Sequence, residues 1–325
     1  MANKKVYGLV CLGGGAHGAY QAGALKYIHE KFSHDHLSPF KVFAGASCGA
    51  LNTTFFASQS HDALAKRLWL EELWLSFDVP AYRANRFKNI LYALYHKWMK
   101  PRNSPVSMWS LMNPKPMTDI IRKGILREDL ERALALGTTE GVAVAATELL
   151  SGRTCWFMEG QACRYWNYYH STGMLDRIQH NHVAASCSVP VYLPPVKIQD
   201  RYYLDGSISL ARPLIAAINM GATHILHIAT DKPAPMTLPN YPADFKPRMS
   251  NVIGMLFDRL AQDAAQDEIA LIDKINQIHQ ETSKKAWIPG FHRSLPFPEV
   301  GLPSVYAPKK VFALSPSKHV RESSG

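Results

Sequence analysis

One serine stands in a context that can make its hydroxyl a nucleophile. Residues 45–49 read Gly-Ala-Ser-Cys-Gly, a G-x-S-x-G pattern centred on Ser47. An apolar run over residues 40–46 precedes it, and helical spacing over residues 48–57 follows it. A strand-turn-helix context raises the serine above the sheet, with the positive end of the helix dipole behind it. The pattern predicts attack by Ser47 on an acyl carbonyl. The glycines that permit the turn are Gly45 and Gly49.

A glycine-rich loop lies one strand-helix unit upstream, where residues 13–18 read Gly-Gly-Gly-Ala-His-Gly. A dinucleotide site is disfavoured because the next strand does not end in an acidic residue. A phosphate-binding P-loop is disfavoured because Ala19 and Tyr20 stand where lysine and serine or threonine belong. Amides at a helix start can still hold an anion, either a phosphate or the oxyanion of acyl transfer. The candidate donors are Gly13, Gly14, Gly15 and Gly18.

The same residues allow two other assignments: Cys48 as the nucleophile, or a histidine as the base that activates Ser47. Cys48 sits at a helix start, which lowers a thiol pKa, but it occupies the x position of the pattern and is interpreted as packing. His224 or His227, which follow Asp205, could complete a Ser–acid–His order. Both lie in an apolar strand, residues 223–229, where a structural histidine is commoner.

These motifs, with an Asp-Gly pair at Asp205, resemble the patatin-like phospholipase family over about residues 6–230. The matching segments are, in chain order, residues 13–23, 45–49, 146–152, 184–196 and 205–206. Two positions depart from the family's pattern. His17 stands where arginine or lysine is common, and Ser207 follows Asp205-Gly206 where glycine or alanine is usual.

The resemblance implies a fold and a mechanism. The fold is α/β, a three-layer patatin-like arrangement with a mostly parallel central sheet between helices and a C-terminal helical extension. Ser47 would be the nucleophile and Asp205 its proton acceptor, a Ser-Asp dyad that needs no metal and no cofactor. Burial should raise the Asp205 pKa towards the working range of a base. Gly206 would support the aspartate, and the glycine loop would form the oxyanion hole.

Composition narrows the class of protein. The chain has 325 residues, 47% of them hydrophobic, and a formal net charge of +10, which suits a globular domain with a sizeable core. Five cysteines without a C-x-x-C pair disfavour a disulfide scaffold or structural zinc. No long apolar stretch suggests a transmembrane helix. The N-terminus is interpreted as a strand rather than a signal peptide, so we expect a cytoplasmic protein, peripheral at membranes; signal-independent export would leave no mark.

The positive charge is concentrated in one segment. No acidic residue occurs between Asp78 and Asp119, whereas seven basic residues do, interleaved with aromatic and aliphatic residues at helical spacing. Such a segment suits an anionic membrane surface or an ordinary surface helix, and the resemblance favours the first. Residues 80–117 are thus a candidate lid or interfacial segment. Nucleic acid is disfavoured because no binding module accompanies the charge. The sequence says nothing about an activating protein partner.

The spacing of apolar residues and the positions of glycine and proline predict the remaining helices and strands. They are helices at 18–32, 63–77, within 119–136, 175–186, 213–220 and 250–280, strands at 6–12, 142–147, 153–158, 223–229 and 310–314, and a strand or hairpin at 196–204. We expect a catalytic domain at residues 5–230 and an accessory helical extension at 231–325. The predicted function is a lipid acyl hydrolase acting on phospholipids or lysophospholipids through an acyl-enzyme. The alternatives are a non-catalytic lipid-binding or membrane-binding protein on the same fold and a histidine-dependent serine esterase.

Overall fold

The computed structural model describes a core and parts of the C-terminal region. The described residues are 5–32, 37–61, 67–76, 114–190, 192–210, 212–230, 246, 251–252, 255, 267–277 and 309–314. Most of the candidate lid segment, residues 80–113, lies outside them, as does much of the predicted helix 250–280. Among the described residues, no helix combines the length and apolar character needed to cross a bilayer.

Ten strands of the described residues form one sheet, in the order β10-β9-β1-β2-β3-β4-β6-β5, with β8 also paired to β3 and β7 to β8. The neighbours from β10 to β3 run parallel, whereas β4 and β8 run antiparallel to β3. The strands are β1 (Tyr7–Cys11), β2 (Val42–Ala46), β3 (Gly141–Glu148), β4 (Thr154–Glu159), β5 (Trp166–Asn167), β6 (Ser171–Leu175), β7 (Val196–Ile198), β8 (Arg201–Leu204), β9 (His224–Ile228) and β10 (Lys310–Leu314).

Helices cover both faces of the sheet. They are α1 (Gly18–Phe32), α2 (Cys48–Ser58), α3 (Arg67–Leu75), α4 (Lys115–Gly124), α5 (Arg127–Ala135), α6 (His180–Ser186) and α7 (Ile215–Asn219), with a 3₁₀ turn at Gly15–His17 and a helical stretch at 267–277. Alternate residues of each strand point to opposite faces. Leu9 therefore joins an apolar layer with α1 and α2, and Val10 joins a second layer with α7. The predicted three-layer α/β fold is confirmed.

One predicted element was wrong. The segment 175–186 was expected to be helical, but its first residue, Leu175, is the last residue of β6 (Ser171–Leu175), and α6 begins only at His180. β6 pairs in parallel with β4, a partner 17 residues away that the local pattern does not reveal. β6 lies between β4 and β5, so sheet pairing satisfies its backbone, and the pairing with β4 extends to Leu175. Gln179 and His182 then start α6 by a reciprocal capping box.

Parts of the region after residue 230 contact the sheet directly. β10 pairs with β9 at the sheet edge, and Ile272 of the helical stretch is buried in the α7 layer. The Glu268 carboxylate accepts a hydrogen bond from the Leu214 backbone N–H at 2.7 Å, next to the start of α7. The side-chain amide of Asn276 donates a hydrogen bond to the Lys309 carbonyl and accepts one from the Lys309 N–H. The division of the chain at residue 230 stays a prediction.

Candidate active site

Ser47 occupies the sharp turn between β2 and α2, with a backbone φ of 53° and ψ of −131°. A positive φ at a non-glycine residue costs on the order of 1–3 kcal/mol and persists only where the surroundings enforce it. The Ser47 N–H donates to Ser186 Oγ at 2.9 Å, and its carbonyl accepts from Cys187 Sγ at 3.2 Å. The C-terminal end of α6 therefore holds the strained turn.

The flanking glycines are explained by close backbone approach. A Cβ on Gly49 would lie 2.1 Å from the Cys11 carbonyl oxygen, because α2 starts directly against β1. A Cβ on Gly45 would lie 2.5 Å from the Gly49 carbonyl oxygen. Real Cβ atoms do not approach backbone so closely, so any side chain here would push α2 away from the sheet. The two glycines thus position the serine.

Asp205 immediately follows β8 and meets Ser47 across 158 residues of sequence. Its Oδ2 accepts a hydrogen bond from Ser47 Oγ at 2.7 Å, and its Oδ1 accepts one from the Ser207 N–H at 2.8 Å. Thr147 on β3 donates its hydroxyl to the Asp205 carbonyl at 2.8 Å. Both side chains are buried, with Ser47 6% and Asp205 1% exposed. The structure therefore brings together the two residues that the sequence singled out.

Burial sets the protonation behaviour of this pair. Desolvation raises the pKa of Asp205 from 3.8 to about 6, because water no longer stabilises the carboxylate. Hydrogen bonds from the Ser207 N–H and the Ser47 hydroxyl oppose that rise. The carboxyl group is therefore mostly ionised at neutral pH, yet it binds a proton far more readily than an exposed aspartate does. Such a group suits proton transfer from a hydroxyl.

Cys48 does not compete as a nucleophile in this geometry. Burial raises the pKa of its thiol to about 12, and the nearby negative charge of Asp205 adds to the rise. Its Sγ donates to the Leu12 carbonyl at 3.7 Å. The thiolate is the reactive form of cysteine, so a thiol with this pKa is inert at neutral pH. The packing interpretation accords with the burial of Cys48.

The glycine loop lies directly against the serine turn. A Cβ on Gly13 would lie 2.9 Å from Ser47 Cβ, so the loop and the turn are in contact. Gly15 has a φ of +55° and is exposed, and its N–H has no backbone acceptor among the described residues. The Gly14 amide lies against the Cys48 sulfur. The Gly18 N–H already donates to the Gly15 carbonyl, so it supports the loop rather than offering a donor.

A family model for patatin-like phospholipases matches residues 9–218, a range that contains the serine turn, the glycine loop and Asp205. This chain belongs to the patatin-like phospholipase family. The match covers nearly all of the sheet that positions the site and stops before β9.

Comparison with solved structures gives matches at low identity. VipD from Legionella pneumophila is 14% identical, with a TM-score of 0.40 over 88% of this chain and 57% of that one. The structure of the ExoU–SpcU complex from the type III secretion system of Pseudomonas aeruginosa gives 16% identity and a TM-score of 0.32, over 80% of this chain and 51% of that one. The chain thus spans little more than half the length of either protein. No curated protein matches it.

Neither candidate histidine contacts Ser47 in this family member. His224 begins β9 at the sheet edge opposite the serine, where its Nδ1 lies 3.0 Å from Thr223 Oγ1. His227 is buried within β9, and its Nδ1 lies 3.3 Å from the Val10 carbonyl. Burial lowers the pKa of His227 to about 4. The geometry gives no support to a histidine-dependent triad.

Several residues that fix the site were not singled out by the sequence. The Thr230 hydroxyl donates a hydrogen bond to the Gly13 carbonyl at 2.7 Å. The side-chain amide of Gln21 donates to the carbonyls of both Leu12 and Ile228. Ser186 and Cys187 lie in the segment 184–196 that resembles the family, but their bonds to Ser47 carry no local signal. Polar residues that hold a loop from a distant strand look like ordinary core residues in sequence.

Proposed function

We propose that this protein is a lipid acyl hydrolase that cleaves fatty-acyl ester bonds of phospholipids or lysophospholipids. The observation that carries the proposal is the 2.7 Å hydrogen bond from Ser47 Oγ, on its strained turn, to a buried carboxylate. Membership of the patatin-like phospholipase family supports a lipid ester as the substrate class. No metal or cofactor is required, because backbone dipoles and one carboxylate supply the chemistry.

In the acylation step, Ser47 Oγ attacks the ester carbonyl carbon and its proton passes to Asp205 Oδ2. The oxygen of the former carbonyl becomes a tetrahedral oxyanion. When the intermediate collapses, the ester C–O bond breaks and the leaving alcohol takes the proton from Asp205. An acyl-serine remains. The alcohol that departs is a lysophospholipid, or the glycerophosphodiester when the substrate is a lysophospholipid.

The loop at Gly13, Gly14 and Gly15 faces the position where that oxyanion develops. Loss of one oxyanion donor costs roughly 3 kcal/mol of transition-state stabilisation. The exposed Gly15 amide, with no acceptor among the described residues, is one candidate donor. The Gly14 amide is the second, and it would move from the Cys48 sulfur to the oxyanion as substrate binds. We place Gly13 and Gly18 in support of the loop rather than among the donors.

In the deacylation step, a water molecule attacks the acyl-serine carbonyl and gives its proton to Asp205. Collapse of the second tetrahedral intermediate breaks the bond to Ser47 Oγ, which recovers the proton from Asp205. The products are a fatty acid and the free serine. The same carboxyl group therefore accepts and returns a proton in each half of the cycle.

We further propose that residues 5–230 form the catalytic unit, that residues 231–325 extend it, and that the protein acts peripherally at an anionic membrane surface. The segment 80–117 remains our candidate for a lid or interfacial element. The excess of basic residues in that segment supports an anionic surface.

Hydrolysis should depend on pH through Asp205. Since only the ionised carboxylate accepts the Ser47 proton, kcat/KM should rise tenfold per pH unit below about pH 6 and level off above about pH 7. The measurement is fatty-acid release from a panel of phospholipids and lysophospholipids, followed by mass spectrometry across that range.

A control profile of the His227→Gln variant should keep the same midpoint. A protein that is folded but releases no fatty acid from any lipid would contradict the proposed function. A midpoint that disappears in His227→Gln would instead indicate a histidine-dependent mechanism.

A further inference from the structure

Three neighbouring loops lie beyond the carboxyl ends of β2 and β3, the end of the sheet at which Ser47 lies. β3 ends there, and residues 149–153 connect it to β4. On one side the Leu149 N–H donates to the Tyr202 carbonyl at 2.9 Å, and on the other the Thr154 N–H donates to the His170 carbonyl at 3.1 Å. The three loops are thus joined side by side. We call their exposed side chains the rim: Leu150, Tyr168, Tyr169, Lys197, Arg201 and Tyr202.

Large apolar surfaces of the rim face water. Leu150 is 93% exposed and Tyr169 is 87% exposed, while Tyr168 and Tyr202 are about two-fifths exposed. The turn that carries Leu150 is firmly held, since the Glu148 carboxylate accepts from both the N–H and the hydroxyl of Ser151. Leu150 is therefore fixed in an outward position. Clustered exposed apolar groups of this kind mark a surface that binds something.

The composition of the rim favours a bilayer as that partner. Tyrosine places an aromatic body in the lipid and its hydroxyl at the headgroups. Arg153, Lys197 and Arg201 carry the positive charges of the three loops, against the negative charges of Asp200 and the buried Glu148. The loops therefore carry a net charge of +1, which complements anionic headgroups.

We infer that the rim docks on an anionic phospholipid bilayer, with Leu150 inserted among the acyl chains and the basic residues at the headgroups. The inference rests on the proposed function, because it explains how a lipid ester reaches Ser47. Docking by this edge aligns the membrane with the turn that carries the nucleophile.

Vesicle co-sedimentation tests the rim. The inactive Ser47→Ala protein is mixed with vesicles of phosphatidylcholine and phosphatidylglycerol, so that hydrolysis does not alter the lipid. Leu150→Ser should weaken binding about tenfold, as expected for losing one buried leucine. Leu136→Ser is the matched control, since Leu136 is 61% exposed but precedes β3 at the opposite edge. Binding should also weaken in salt and on pure phosphatidylcholine.

Unchanged vesicle binding by Leu150→Ser, or equal losses in Leu150→Ser and Leu136→Ser, would overturn the rim as a docking surface. In the active protein, Leu150→Ser should leave hydrolysis of a soluble short-chain ester unchanged. A wild type that hydrolyses no ester but binds vesicles through Leu150 would refute the proposed function and leave the docking surface standing.

A second and independent observation concerns the hydroxyl of Ser207. The residue is 4% exposed, and its Oγ makes no well-formed hydrogen bond with any described group. A Cβ on Gly13 would lie 2.2 Å from Ser207 Oγ and 2.9 Å from Ser47 Cβ, so the hydroxyl and the nucleophile border the same small space. The hydroxyl lies near Asp205 and interacts with it weakly, which helps hold the pKa of that carboxyl down. A buried hydroxyl whose neighbouring acceptor is poorly aligned needs an explanation.

The acyl-enzyme intermediate explains the buried Ser207 hydroxyl. Once Ser47 Oγ carries the acyl group, it has no proton to donate, and Asp205 Oδ2 loses its 2.7 Å partner. Oδ1 keeps the Ser207 N–H, but a buried carboxylate oxygen that has lost its donor is costly, so a water molecule should take the position beside Oδ2. An ordered water in such a site needs further polar partners. The Ser207 hydroxyl is the buried polar group beside it that makes no well-formed hydrogen bond.

We propose that Ser207 positions the water that deacylates Ser47. Its hydroxyl accepts a hydrogen bond from that water while Asp205 accepts the other proton, which leaves the water oxygen facing the acyl carbonyl. Asp205 takes the proton as the C–O bond forms, and Ser47 recovers it as the acyl bond breaks. Ser207 is thus a positioning residue whose main effect falls on deacylation, the second half of the cycle.

The test separates the two halves. An activated chromogenic ester acylates fast and makes deacylation limiting. With it, Ser207→Ala should keep the rate of the initial burst while its steady-state rate falls about tenfold. Intact-protein mass spectrometry should show acyl-enzyme accumulating in the variant. Ser58→Ala is the matched control, because it removes another buried serine hydroxyl, bonded to the Phe55 carbonyl far from the site.

Equal losses of burst and steady-state rates in Ser207→Ala, or no change in either, would overturn the positioning role. Failure of the wild type to form any acyl-enzyme would instead contradict the proposed function itself.

Discussion

Replacing Ser47 by alanine is expected to lower ester hydrolysis by about a thousandfold or more, because it removes the hydroxyl that attacks the ester carbonyl. The residual rate would come from substrate binding and the glycine loop alone. A fluorophosphonate probe should label the wild type at Ser47 and leave Ser47→Ala unlabelled. The readouts are peptide mass spectrometry of the labelled site and fatty-acid release from phospholipid.

Cys48→Ala serves as the matched control. Cys48 adjoins the serine, but its thiol is protonated and packed, so this variant should retain labelling and most activity. A folded wild-type protein that the probe does not label would refute Ser47 as a nucleophile. Labelling that moves to Cys48, or that is lost only in Cys48→Ala, would do the same.

The second large effect is expected from Asp205→Asn. Asparagine keeps the shape of the side chain but cannot take the Ser47 proton, so activity should fall by about a thousandfold. The control variant is Asp119→Asn, at a half-buried acid on α4 that makes no hydrogen bond to Ser47 or Asp205, and it should keep full activity. If Asp205→Asn retains hydrolysis, the dyad is wrong even where Ser47 remains essential.

The same variant should change the pH dependence of stability. The Asp205 pKa is about 6 in the folded protein and near 4 when unfolded, so the folded state keeps a proton that the unfolded state has lost. The stabilisation from that proton is complete below about pH 4 and disappears as the pH rises through 6. The difference is at most about 3 kcal/mol, the equivalent of two pKa units.

Asparagine carries no such proton, so the variant should gain free energy of unfolding relative to the wild type between pH 4 and pH 7. Chemical denaturation of both proteins at several pH values measures that difference. A constant difference across the range would show that the Asp205 pKa is not raised in the folded protein. Such a result would also remove the physical basis for its role as a base.

Local sequence identifies Ser47, whereas the role of Asp205 was predicted only through the resemblance to the family. The serine turn is visible because it needs glycine on both sides, and these glycines meet the Cys11 carbonyl and the turn's own helix. The strand before it and the helix after it are continuous in sequence, so their spacing is sufficient to predict them. The α/β layering follows equally from apolar strands alternating with helices.

Other parts of the fold depend on partners that the local pattern does not contain. The predicted helix 175–186 began too early, at the last residue of β6, because the pairing of β6 with β4 across a loop leaves no local signal. The contacts of the glycine loop with Thr230, and of Ser47 with Ser186, join residues more than a hundred positions apart. Such contacts form only when the sheet order is fixed, and sheet order is not encoded in any one segment.

The amino-acid sequence alone determined the serine turn, the glycine loop, the order of the motifs and the α/β class, because each depends on backbone constraints between near neighbours. The tertiary structure alone decided that Asp205 contacts Ser47, that His224 and His227 do not, and that the Ser207 hydroxyl is buried beside both. The physical reason is that pKa values and hydrogen bonds depend on burial and distance, which arise when β8 pairs with β3 and encloses the carboxyl group.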